Sequence, residues 1–234
     1  MKNGLAALRF LTVAGWFGSD EPDPERVGRG VGYFPIIGLV LGTALVLVEY
    51  TLDPYVASEI LSIVAIAMLT LLTGARHFAD LEETLARPSL DLRRWKQERV
   101  VITTVVVFFV LLTKIRALEV TGDGRLVALL LSPVFARWAA VVLLYGAAPF
   151  AEPATRRLAE KIGPWQLLVA TLFTMFLGAV LVGRLTLWLG LFVSLLALVA
   201  RSWLIKRSRP LRHEHSGALI EIAEVLSFVF FATL

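Results

Sequence analysis

Gly217 to Leu234 reads GALIEIAEVLSFVFFATL, an apolar run broken only by Glu221 and Glu224. A carboxylate in hydrocarbon costs several kcal/mol on most scales, so it faces protein, water, a cation or a substrate rather than lipid. A spacing of three residues puts both glutamates on one face of a helix. The stretch therefore reads as a membrane helix with a functional or ion-paired stripe.

The rest of the chain has the same solvent in mind. Of 234 residues, 57% are hydrophobic and 18% charged, with a mean hydropathy of +0.75; a water-soluble domain carries about a quarter charged residues. Apolar runs long enough to cross a bilayer recur throughout, which predicts an all-α, polytopic helical bundle. The ten-residue alternation of a β-barrel is absent. Spans are expected at 31–52, 56–74, 100–118, 126–148, 166–183, 185–200 and 217–234, about seven, with 166–200 readable as a hairpin at Gly183-Arg184. Residues 4–17 are too short to cross and predict an interfacial or re-entrant helix, and the N-terminus reads as mature sequence. No connector is long enough for a soluble domain, so 1–234 is expected to form a single membrane domain. With no cysteine, thiol catalysis, disulfides and thiolate metal sites are excluded.

Lysine and arginine set the orientation. The connectors 1–30, 75–99, 151–165 and 201–216 hold 18 of them, against 4 in 53–55, 114–125 and Arg184. The positive-inside rule then places the first group in the cytoplasm and the chain in the inner (plasma) membrane. All three histidines lie on that side. Glu49 and Glu59, near span ends on the outer side, receive no role.

Two cytoplasmic connectors carry the candidate chemistry. On a helix over 75–99, His77, Asp80, Glu83, Thr84 and Arg87 share one face, followed by Arg93, Arg94, Lys96 and Arg99. A solvated amphipathic segment lying on anionic lipid explains the basic end. A divalent-cation site explains the acidic end, since Mg²⁺ takes one or two carboxylates and fills its shell from phosphate and water. The 201–216 connector crowds five cationic residues before His213-Glu214-His215. It reads either as a positive-inside anchor or as a phosphate-binding strip beside carboxylates. Zinc held by His213 and His215 is the weaker option, because a spacing of two points them to different helix faces. Arg137, inside a span, needs a partner: Glu221 or Glu224 in an ion pair, or a substrate phosphate.

Three stretches resemble the cobalamin synthase family, the integral-membrane adenosylcobinamide-GDP ribazoletransferases. RGVGYFPIIGLVLG (Arg29 to Gly42) is similar to the start of that family's first long span, with Phe34, Pro35, Gly38 and Gly42 in place, and AALRFLTVAGWF resembles its short opening helix. LTGARHFADLEETLAR (Leu72 to Arg87) occupies the position of its acidic motif, matching at His77, Leu81 and Thr84, with Glu83 for an aspartate. HEHSGALIEIAEV (His213 to Val225) resembles its closing motif at Gly217, Ala218, Glu221 and Glu224, with Glu214 for an aspartate. The chain departs from the pattern at Ala79, Asp80, Ala86, Arg87, Gln97, Arg212 and His213.

The resemblance implies an Mg²⁺-dependent transferase of the last steps of cobalamin biosynthesis. It would join α-ribazole or its 5′-phosphate to adenosylcobinamide-GDP and release GMP. It implies Asp80, Glu83, Glu221 and Glu224 as metal ligands, and His77, Glu214 and Arg99 as catalytic groups. Arg137, Lys96 and Arg212 would take phosphate oxygens. The implied partners are corrinoid and nucleotide-loop small molecules, the lipid bilayer, and a second copy or other corrinoid-assembly enzymes, with no nucleic acid. Two other readings stay open: a catalytically degenerate member acting as a membrane corrinoid-binding or assembly subunit, and a different membrane phosphotransferase.

Overall fold

The computed structural model describes residues 2–17, 22–85, 96–206 and 210–234, with the side chains of 96–99 left undescribed. Eleven α-helices run in order through these residues. They are α1 (Lys2–Leu11), α2 (Pro24–Gly30), α3 (Phe34–Leu52), α4 (Ser58–Leu72), α5 (Arg76–Leu85), α6 (Lys96–Val120), α7 (Arg125–Leu144), α8 (Pro153–Ala159), α9 (Pro164–Val182), α10 (Leu185–Lys206) and α11 (His213–Ala232).

Six stretches are long and apolar enough to cross a bilayer: Pro24–Leu52, Val100–Val120, Arg125–Leu144, Pro164–Val182, Leu185–Lys206 and His213–Ala232. The chain is thus a multi-pass helical membrane protein, as its hydropathy predicts. The expected span over 56–74 takes a different form. Helix α4 has 15 residues and ends in an 81° bend into α5, so the pair forms a broken span or a re-entrant loop rather than a straight crossing. The bend sits at Gly74 (φ 64°) and Ala75 (φ 53°), two consecutive left-handed residues. Glycine adopts that geometry freely, whereas alanine is strained by roughly 1 kcal/mol. Ala75 N–H closes the turn by donating to Thr70 O at 2.9 Å. The 166–200 run forms two helices hinged at Gly183, as the hairpin reading expects. Helix α1 is short and tucks Ala6, Ala7 and Leu11 into the core.

Helix α7 is the axis of the bundle, with most of its length buried against α3, α9, α10 and α11. The tightest neighbour is α3, because Gly38 and Gly42, one turn apart, lie against the backbone of Pro133 and Leu130. A side chain at either position would overlap a carbonyl oxygen of α7. This is the small-residue packing by which membrane helices approach closely. Where the end of α3 meets the start of α7, Glu49 is buried and paired with Arg125. Arg125 also donates to Ser62 Oγ and Leu118 O, both at 2.9 Å. Glu49 was expected to snorkel without a role; instead it locks α3 and α4 to α7, because an arginine at the adjacent helix start supplies its counter-charge.

Candidate active site

Helix α5 lies along the first half of α11, seated by Leu81, Val110 and Ala218, which pack together from α5, α6 and α11. The approach is close at one point. Gly217 has no side chain where the Asp80 carboxylate rests, and a Cβ there would overlap Asp80 Oδ2. Three residues earlier on α5, His77 is buried with its Nδ1 3.8 Å from Glu221 Oε1. The helical spacing read from the sequence therefore does bring the second inner connector and the terminal helix together.

Between α1, α2, α5, α8 and α11 lies a cavity of about 180 Å³. Its polar wall consists of Arg76, His77 and Asp80 from α5, Thr155 from α8, and His213 and Ser216 from α11; Phe10, Leu11 and Val27 form much of the apolar wall. Two polar atoms in this wall, His77 Nδ1 and Thr155 Oγ1, are buried without a hydrogen-bond partner. Unpaired buried polar atoms cost about 1–3 kcal/mol each, and functional sites are where such a cost is tolerated.

Glu221 and Glu224 do not line this cavity. They belong to a buried ionic cluster with Lys114 and Arg137, none of the four more than 3% exposed. Lys114 Nζ bridges the two carboxylates, lying 2.6 Å from Glu224 Oε2 and in direct contact with Glu221. Arg137 takes the other oxygen of Glu224, and the Phe78 ring caps Lys114 at 5.6 Å. Two cations against two carboxylates leave no net charge, which makes the cluster tolerable in a low-dielectric core. This corrects two expectations and meets a third. Glu221 and Glu224 are charge-balanced by protein and are not placed as metal ligands. Arg137 pairs with Glu224, one of the partners the sequence offered it. Lys114, counted with the outer connector 114–125, is an interior residue of α6. Charge balance was the available signal: two glutamates and one arginine inside the spans leave a carboxylate in need of a second cation.

At the mouth of the cavity, two loops are stitched by an isolated parallel bridge between Ala151 and Leu211. Leu211 N–H donates to Phe150 O at 2.7 Å, and Glu152 N–H to Leu211 O at 3.0 Å. The bridge carries Glu152 beside the start of α11, where it, His213 and Glu214 present ligand atoms within 4.8 Å of one another. Glu152 was missed because its connector pairs with a segment some sixty residues away, a contact no local spacing reveals. Arg212 stands among carboxylates, 2.6 Å from Glu214, 3.2 Å from Glu152 and 3.7 Å from Glu83. Its expected role as a phosphate ligand is displaced by these pairings, and Glu83 is held by Arg212 outside the cavity wall. Lys96 and Arg99 fall on α6 where side chains lie outside the described residues, as does Arg87.

A cavity at one end of the bundle, walled by imidazole, carboxylate and guanidinium, suits chemistry on a charged phosphoryl group. The model of one family, cobalamin-5-phosphate synthase, matches residues 3–232. The chain belongs to that family. Three similar proteins bear the name adenosylcobinamide-GDP ribazoletransferase. That of Geotalea daltonii is 28% identical over 95% of this chain and 93% of its own length. That of Pseudomonas putida strain F1 is 30% identical, covering 94% and 93%, and that of Pseudomonas aeruginosa PAO1 is 30% identical, covering 99% and 98%. No solved structure matches the chain. As a cobalamin-5-phosphate synthase family member, it aligns end to end, so the cavity, the ionic cluster and the acidic mouth all lie within the matched region.

Proposed function

We propose that the chain is a membrane transferase that joins α-ribazole, or its 5′-phosphate, to adenosylcobinamide-GDP. The products are adenosylcobalamin, or its phosphate, and GMP. A ribazole hydroxyl oxygen forms a new P–O bond at the phosphorus that carries the cobinamide. The P–O bond to GMP breaks, and the hydroxyl proton passes to a base. The observation that supports this most directly is the cavity wall of Arg76, His77, Asp80 and His213 in a chain that matches the family over residues 3–232.

His77 and Asp80 are the wall groups able to take the proton; the His77 imidazole is buried, with Nδ1 3.8 Å from Glu221 Oε1. Asp80 presents a carboxylate to the same space. The donors at the mouth suit a divalent cation by type and by proximity. Glu83, Glu152 and Glu214 gather around the guanidinium of Arg212. Glu152, His213 and Glu214 would hold Mg²⁺ there, with Asp80 in the adjoining wall. When bound, the ion would neutralise phosphoryl oxygens. The cavity is smaller than the ~300–1,000 Å³ of an ordinary ligand pocket, so it accommodates the reacting phosphoryl region while the corrin ring remains outside. The charge bias of the connectors supports an inner-membrane location with this mouth facing the cytoplasm.

Purified protein in liposomes, given both precursors and Mg²⁺, is expected to release GMP in proportion to cobalamin formed. Corrinoid binding without GMP release, across several divalent cations, would replace the transferase by a binding protein. Cysteine introduced at Ser89 of this cysteine-free chain is expected to react with an impermeant thiol reagent only from the cytoplasmic side.

A further inference from the structure

We propose that Arg76 is the protein's ligand for a substrate phosphoryl oxygen, a role that rests on the transfer reaction proposed above. Among the described residues lining the cavity, it supplies the sole guanidinium or ammonium group. The other described cations expected to serve are committed elsewhere: Arg137 to Glu224, in full burial, and Arg212 to three carboxylates.

The local structure is built to hold this guanidinium in place. Arg76 is the first residue after the left-handed pair Gly74-Ala75, so the strained bend sets the direction in which α5 and its side chains leave. Its Nη1 donates to Arg9 O at 3.2 Å, which ties the side chain to the end of α1. Gly15 makes the slot: a Cβ there would overlap both Arg9 O and Arg76 Nη1. A guanidinium anchored through one nitrogen keeps a planar fork for the oxygens of a phosphate, at little further entropic cost. Asp80, one turn on, lies in the same wall, so cation and carboxylate flank the space where the oxyanion and the attacking hydroxyl meet. Across the cavity, the buried and unpartnered hydroxyl of Thr155 offers a second donor.

The probe is inorganic pyrophosphate, titrated calorimetrically into the detergent-purified full chain in EDTA, so that no metal contributes. Wild type is expected to bind it. Arg76→Gln is expected to weaken binding at least tenfold, Arg76→Lys less, and Thr155→Val by a few-fold. In turnover, Arg76→Gln is expected to raise the KM for adenosylcobinamide-GDP by a similar factor. Should Arg76→Gln fail to fold, Arg76→Lys keeps the charge while removing the planar fork and is expected to weaken pyrophosphate binding as well. Equal pyrophosphate affinity in wild type and the Arg76 variants overturns the proposal, as does wild type that binds none. Normal GMP release with an unchanged KM in Arg76→Gln overturns it and leaves the transferase reading intact. Arg76-dependent pyrophosphate binding without GMP release from wild type sinks the transferase reading and sustains the phosphoryl ligand.

Discussion

The Asp80 carboxylate occupies the space that a side chain at position 217 would fill, so Gly217 is what allows α5 to lie against α11 with its acid facing the cavity. The contact joins the two stretches that carry the sequence's chemistry.

Gly217→Ala is therefore expected to push Asp80 out of position. Overpacking of this kind costs about 1–3 kcal/mol, which thermal unfolding in detergent would register. GMP release is expected to fall by more than tenfold, since a misplacement of about 1 Å can cost that much or more. Activity equal to wild type would show that the position of Asp80 is immaterial to the reaction.

Lys114→Met leaves two buried glutamates sharing one arginine. Breaking a buried ion pair by removing one partner costs about 3–5 kcal/mol. Adding Glu221→Gln restores the charge balance, and the double variant is expected to recover most of the lost stability. A single variant as stable as wild type would mean that the cluster does not carry the charges as drawn.

Arg125→Met tests the Glu49–Arg125 clamp in the same manner, by orphaning Glu49. Its expected signature differs: a stability loss of about 3–5 kcal/mol with kcat per folded molecule unchanged, because the clamp is at the opposite end of the bundle from the cavity mouth. A fall in kcat at full stability would tie the clamp to the chemistry.

At the bend, Ala75→Gly removes a left-handed strain worth roughly 1 kcal/mol, partly offset by the greater freedom of glycine in the unfolded chain. The unfolding midpoint is expected to stay level or rise. Ala75→Val is expected to lower it, because a β-branched residue tolerates φ 53° poorly. A Val variant with wild-type stability would argue that the backbone turns elsewhere.

The membrane architecture was legible in the sequence because hydrophobic length acts locally: a run such as Val100–Val120 declares its fate without reference to the rest of the chain. The helical spacing on α5 likewise anticipated that His77 and Asp80 share a face, and α11 does meet it. What could not be read was which charge answers which. Lys114 lies four residues short of an expected span end, and a span-by-span count assigned it to the outside; only Glu221 and Glu224 on a distant helix identify it as interior. Glu152 reaches the mouth through a backbone bridge between loops, and Arg76 enters the cavity because of a bend whose second residue, alanine, carries no turn signature.

The shortness of α4 has a consequence for the lipid around the protein. Fifteen residues rise about 22 Å, whereas the hydrocarbon core is about 30 Å thick. Such mismatch is relieved by local thinning, at a modest cost per ångström. Thinning beside α4 would make the rate of the embedded protein depend on acyl-chain length, rising in vesicles of shorter-chain lipids.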